Sequence, residues 1–237
     1  MGERLIDRER SVIVAADVEA SKFRELIEKT CLVEGIGGYK IGFELGLELG
    51  LPNVVAKARS LTDLPLIYDH QKAGNDIPET SVNFARVCKK SGIEAVILFP
   101  FTGPVAQTEW TKACMDEGLI VLTGGEMTHK SFLRSDGGYI DDHAPDEIFS
   151  TAMMLGVRDF VVPGNKPWAV RGYRKFFNFR LGEGNFTLYA PGFISQGGDI
   201  TKIGQEAGDH WHAIVGRGIY AQPDMMEAAK QVTRQIR

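Results

Sequence analysis

The sequence predicts an α/β protein: a (β/α)8 TIM barrel forming a single domain over residues 1–237. Two observations predict it. Short apolar or β-branched runs recur about every 25–30 residues, separated by stretches with helical periodicity. Eight such runs fall within 237 residues, a number and length that suit a closed barrel. Strands that are apolar throughout and alternate with helices imply a parallel sheet covered by those helices. An open doubly wound sheet is the other arrangement of such units, but no Gly-x-Gly-x-x-Gly follows the first run.

The elements follow in order. The first strand is expected at Ser11–Val18, and a helix over Ser21–Glu34 stops at Gly35. Gly38–Phe43 forms the second strand and Leu64–Asp69 the third. Ile77-Pro78 precedes a helix at Ser81–Lys90, since proline suits a first helical turn, and Gly92 lies just past its end. Ala95–Pro100 is the fourth strand, and Pro104–Glu117 the helix that follows, ending before Gly118. Leu119–Met127 is the fifth strand; its helix, Asp146–Leu155, runs to Gly156. Asp159–Pro163, Phe186–Pro191 and His212–Gly216 complete the eight.

Composition narrows the function. With 43% hydrophobic and 24% charged residues, the chain reads as soluble and globular. The net charge of -4 is dispersed, which argues against a nucleic-acid surface but leaves room for a local anion pocket. Cys31, Cys88 and Cys114 lack CxxC pairing and nearby metal-type histidines, so buried, reduced thiols are expected. His129, His143, His210 and His212 show no metal-ligand spacing. Asp141-Asp142-His143 reads as a helix-start loop, and Trp168 and Trp211 as packing residues. No Ser/Gly/Pro tract marks a linker. There is no membrane-length apolar run, the first ten residues lack a signal-peptide core, and the Met-Gly start lacks Ser or Thr at position six for myristoylation. A cytoplasmic location is expected.

A barrel makes one further demand: reactive residues gather at the C-terminal ends of its strands. Here the first strand ends in Asp17, the second contains Lys40, and the third ends in Asp69 with Lys72 just beyond and Asp76 after it. The fifth ends in Glu126-Met-Thr128-His. The seventh leads into Pro191-Gly and Gln196-Gly-Gly-Asp, and the eighth into Gly216-Arg217-Gly. A lysine held cationic between aspartates can donate a proton. Gly-Arg217-Gly offers unobstructed backbone N–H groups and a guanidinium suited to bidentate phosphate binding, in the loop where such barrels grip phosphate. Glu126 is expected to order the strand-five loop or a charged neighbour.

These segments resemble the orotidine 5'-phosphate decarboxylase family over almost the whole chain. The resemblance rests on Asp17, Tyr39-Lys40-Ile-Gly, Asp69…Lys72…Asp76-Ile-Pro-Glu-Thr80, Glu126-Met-Thr128-His, Pro191-Gly…Gln196-Gly-Gly-Asp and Val215-Gly-Arg217. It implies a cofactor-free, metal-free barrel homodimer that converts orotidine 5'-phosphate to UMP and carbon dioxide. By that similarity Lys72 protonates C6 of the pyrimidine, Asp69 crowds the substrate carboxylate, and Lys40 and Asp76 complete the charge network. Asp76, Ile77 and Thr80 are implied to reach the partner subunit's site. Asp17 and Lys40 are implied to bind the ribose and Thr128 the pyrimidine. Gln196, Arg217 and the backbone of Gly216 are implied to hold the phosphate.

The chain departs from the family pattern Asp-x-Lys-x-x-Asp. It has Asp-x-x-Lys-x-x-x-Asp, one residue longer in each interval. Residues three apart do not share a strand face, so the chain must bulge or leave the strand by His70 for Asp69 and Lys72 to point together. Gly74 can supply freedom in the second interval; the alternative is that His70 takes part of the role of Asp69. Thr128 stands where serine is more usual and keeps the hydroxyl. Two other functions fit the scaffold. Magnesium-dependent sugar-phosphate decarboxylases and aldolases share the strand-three motif, but carry a strand-two glutamate where this chain has Lys40. A non-catalytic nucleotide-binding barrel would explain the longer spacing.

Overall fold

The computed structural model describes residues 4–70, 74–193 and 197–236. Its strands are β1 (Arg10–Ala16), β2 (Ile36–Ile41), β3 (Leu66–Tyr68), β4 (Ala95–Leu98), β5 (Ile120–Gly124), β6 (Asp159–Val161), β7 (Thr187–Pro191) and β8 (Trp211–Val215). They pair in parallel in chain order, and β8 closes on β1 with Val12 opposite Ala213. The described helices are α1 (Ala20–Thr30), α2 (Phe43–Leu49), α3 (Leu51–Arg59), α4 (Ser81–Lys90), α5 (Pro104–Asp116), α6 (Ala144–Met154), α7 (Pro167–Leu181), α8 (Ile200–Ala207), α9 (Arg217–Tyr220) and α10 (Met225–Gln235). The expected (β/α)8 barrel is therefore present.

Alternation along each strand divides the core into two layers. Ile13, Ala15, Ile67, Ile97, Leu122, Val161, Tyr189 and Ile214 fill the barrel, and Ile6 of the N-terminal segment joins them. The opposite faces, including Val12, Val14, Tyr39 and Ile41, pack against helix residues such as Phe23, Leu26, Ile27 and Val54. A stacked pair, Phe160 and Phe177 with ring centroids 4.1 Å apart, ties α7 to β6. No described helix is long and apolar enough to cross a membrane.

Several boundaries differ from the sequence reading, each for a local reason. α1 stops at Thr30, whose hydroxyl donates to Leu26 O and shares a 2.7 Å hydrogen bond with Tyr39 OH. Cys31 consequently lies in the turn and is only partly buried, unlike Cys88 and Cys114. β3 spans three residues and ends before Asp69, although Asp69 N still donates to Ile41 O. β5 ends at Gly124, where any Cβ would overlap the Phe99 ring inside the barrel. Trp211 is fully buried as expected, but Trp168, at the start of α7, is 68% exposed rather than packed.

Candidate active site at the barrel mouth

Asp17 lies one residue past β1 and continues the inward face of Ile13 and Ala15. Lys40 occupies an inward position of β2, and Asp69, just past β3, continues the face of Ile67. Three adjacent strands thus bring the three side chains together. Lys40 Nζ is 2.9 Å from Asp17 Oδ1 and 3.4 Å from Asp69 Oδ2. Lys40 and Asp69 are buried, while the Asp17 side chain is 42% exposed. Burial alone pushes the Lys40 pKa down, but the neighbouring Asp69 and Asp17 carboxylates more than reverse this, so the ammonium is held above its ordinary range. Asp69 Oδ1 is buried and has no hydrogen-bond partner among the described residues.

The packing around this trio depends on Gly42. Its backbone is extended, with φ -85° and ψ 176°, and would accept any residue. A Cβ there would nevertheless overlap Asp17 Oδ1.

These residues line a cavity of about 290 Å³ at the C-terminal ends of the strands. Ile97, Phe99, Met127 and Val161 form an apolar wall; Thr128, Gly216, Arg217 and Tyr220 stand around the rest. Arg217 is exposed at the first position of α9. Burial and the nearby Asp17 carboxylate push the Tyr220 phenol up, so it stays protonated. A larger hollow, about 1090 Å³, opens at the opposite end of the barrel. There Arg4 is already engaged by His210 Nδ1 at 2.7 Å and Gly184 O at 2.8 Å, and a strand-end site belongs at the other mouth.

The loop after β7 is stitched to its own strand. Gly198 N donates to Gly192 O at 3.1 Å, and a Cβ at Gly198 would crowd the carbonyls of Gly192 and Gly164. The aspartate of the Gln-Gly-Gly-Asp run, Asp199, caps α8 by accepting from Lys202 N. Gln196 itself lies outside the described residues, as does Lys72.

Around Lys72 the flanking chain is defined. Upstream, His70 is exposed and its Nδ1 hydrogen-bonds the hydroxyl of Tyr68, a residue of the outer core layer. His70 is thus turned away from Lys40, and it does not line the cavity. Downstream, Gly74 adopts φ +96°, a conformation that favours glycine. Thr102 Oγ1 donates to Gly74 O at 3.2 Å, and Phe101 N to Asn75 Oδ1 at 2.8 Å.

Asp76, Ile77 and Thr80 are not among the cavity's lining residues. Asp76 and Ile77 are exposed, and Asp76 Oδ1 accepts from Ile77 N at 2.7 Å. Thr80 Oγ1 and Trp110 Nε1 both donate to Ile77 O, which fixes this turn at the head of α4.

The sequence reading missed three residues here. Lys166 Nζ donates to Glu126 Oε1 at 2.8 Å and to Met127 O at 3.0 Å, and Tyr173 OH donates to Glu126 Oε2 at 2.6 Å. The expected role of Glu126, engaging a charged neighbour under the strand-five loop, is seen. Tyr220 was also missed, although it lies four residues after Gly216.

The closed barrel and its mouth define a (β/α)8-barrel enzyme that holds a buried ammonium between two carboxylates. The chain belongs to the orotidine 5'-phosphate decarboxylase / HUMPS family, whose model matches residues 10–232. It is 30% identical to the orotidine 5'-phosphate decarboxylase of Methanosarcina mazei, over 98% of this chain and 97% of that one. The solved orotidine 5'-phosphate decarboxylase of Pyrococcus horikoshii is 25% identical with a TM-score of 0.77, covering 95% of this chain and 98% of its own. The Methanocaldococcus jannaschii orotidine 5'-monophosphate decarboxylase, complexed with the inhibitor BMP, shares the fold with a TM-score of 0.81 at 22% identity, covering 96% and 98%.

Proposed function

We propose that this protein decarboxylates orotidine 5'-phosphate to UMP in pyrimidine synthesis, without a cofactor or metal, in the cytoplasm. The observation that carries the reading is the Asp17–Lys40–Asp69 ladder at the strand ends, in which Lys40 and Asp69 are buried. Loss of carbon dioxide from C6 leaves a vinylic carbanion with no electron sink, so the enzyme must supply charge already in place for the transition state. Lys72 is the proton donor to C6. Asp69 of its own chain and the partner's Asp76 keep it cationic until the carbanion forms. Asp69 faces the substrate carboxylate, and this repulsion is relieved as neutral carbon dioxide departs. Lys40 fixes Asp69 on one side and, with Asp17, reaches the ribose hydroxyls on the other. Thr128 contacts the pyrimidine; Gln196, Arg217 and the backbone of Gly216 hold the phosphate.

The working unit is a homodimer with shared sites. Asp76, Ile77 and Thr80 serve the partner's cavity, a reading supported by their absence from their own. Ile77 is 59% exposed and Val82 55%, which supplies apolar surface for such an interface. The magnesium-dependent sugar-phosphate reading fits less well, because the Lys40 ammonium stands where that branch places a metal-binding glutamate and would repel the ion.

The test is to follow the pyrimidine absorbance of orotidine 5'-phosphate with the protein in EDTA. Turnover under chelation is expected. Turnover only after magnesium is restored favours the sugar-phosphate branch, and binding without turnover favours a non-catalytic barrel.

A further inference from the structure

We propose that Asn165 and Lys166, in the turn after β6, are positioning residues that set the face on which the pyrimidine is read. This rests on the functional reading above and extends it to residues that do not touch substrate. Glu126, Met127 and Thr128 have left β5 and carry no ladder hydrogen bonds of their own, yet they form one side of the cavity. Their anchors come from the next unit of the barrel. Asn165 Nδ2 donates to Thr128 O at 2.9 Å, and Lys166 Nζ bridges Glu126 Oε1 at 2.8 Å and Met127 O at 3.0 Å. All three residues of the segment are therefore held from two consecutive side chains.

The anchoring charge is buried. The Glu126 side chain is 1% exposed and Lys166 19%, so solvent screens this pair little. Tyr173 completes the carboxylate's coordination. Burial and the Glu126 hydrogen bond push its phenol well above the ordinary range, so it remains a donor. The β6 turn can thus hold Thr128 in place without itself meeting the ligand.

A ligand that has a base should sense this anchoring, and one without a base should not. Binding of UMP and of ribose 5-phosphate is measured for the unaltered protein and for Asn165→Ala, Lys166→Met and Lys166→Arg, with thermal melting to confirm folding. Loss of one such hydrogen bond predicts about a tenfold weaker UMP affinity for Asn165→Ala, and more for Lys166→Met, with ribose 5-phosphate unchanged. Lys166→Arg should restore most of the UMP affinity. Equal weakening of both ligands, or UMP affinity unchanged in a folded Asn165→Ala protein, overturns the inference. If the unaltered protein neither binds UMP nor turns over orotidine 5'-phosphate, the functional reading falls first and the inference with it.

Discussion

Lys40 Nζ lies 3.4 Å from Asp69 Oδ2, an ion pair of two buried groups delivered by neighbouring strands. Asp17, on the opposite side of Lys40, is far more open to solvent. Lys40 therefore offsets the cost of burying the Asp69 carboxylate.

Replacing Lys40 by methionine should accordingly harm both stability and rate. Leaving Asp69 buried without its cation costs roughly 3 kcal/mol of folding stability, readable by denaturant titration. Decarboxylation should fall by about a hundredfold or more, since preorganised charge at the reacting centre is lost. A stable, fully active Lys40→Met protein would remove the ladder from the mechanism.

Lys72→Ala and Asp76→Ala should each lose about a thousandfold or more in turnover, and Lys72→Ala should still bind UMP. Mixed dimers of the two inactive chains then provide a complete site, built from Lys72 of one chain and Asp76 of the other. Activity should return to about half of wild type per mixed dimer, and about a quarter in a statistical mixture, because a two-fold interface pairs the sites reciprocally. Mass spectrometry first establishes that mixed dimers have formed. Silent mixed dimers would place Asp76 within its own chain's site.

Arg217→Ala should weaken use of the phosphorylated substrate by roughly 1.5–3 kcal/mol in kcat/KM. Its effect on unphosphorylated orotidine should be much smaller. An equal loss for both substrates would move Arg217 away from the phosphate.

At the base of the barrel two groups should give opposite pH dependences. His212 is buried, shares a 2.8 Å hydrogen bond with Ser11 Oγ, and is pushed down to about 3 by burial. Its folded value lies below the unfolded one, so its stabilisation is present above about pH 6.5 and is lost as the pH falls toward 3. Asp159, which accepts from Tyr189 OH at 3.0 Å, is pushed up to about 6 by burial. Here the folded state takes up the proton, so stability rises as the pH falls from about 6 to 4. Asp159 is partly open to solvent, which weakens its share. Asp159→Asn should therefore lose stability on acidification more steeply than wild type, with roughly 1.4 kcal/mol per pH unit as the limit for one group. His212→Gln should lose it less steeply. Identical slopes in urea titrations of the two variants would show that neither group titrates as assigned.

The barrel was legible because its apolar runs alternate with helical periodicity, and the strand-end rule led from there to Asp17, Lys40, Asp69, Thr128 and Arg217. What stayed hidden depends on contacts distant in sequence. Lys166 and Tyr173 meet Glu126 across 40 and 47 residues, and nothing in the local pattern marks them as partners. The end of α1 is set by the Thr30–Tyr39 hydrogen bond, made to a strand residue the helix cannot anticipate. The stretch between β2 and β3 divides into α2 and α3 at Gly50, which takes φ +72°. Trp168 looks like core from residue type alone, but α7 turns Ala169, Val170 and Phe177 inward instead.

Gly42 couples its own position to Asp17 in the history of the sequence. Its backbone permits any residue, and a side chain there would displace the carboxylate of Asp17. Substitutions at 42 should therefore disturb the Asp17–Lys40 pair in the native background and be better tolerated once Asp17 is shortened to alanine. The pair is coupled: a side chain at 42 requires the Asp17 carboxylate to move from its position beside Lys40. Saturation mutagenesis of position 42 in both backgrounds, scored by folded yield, would display that dependence directly.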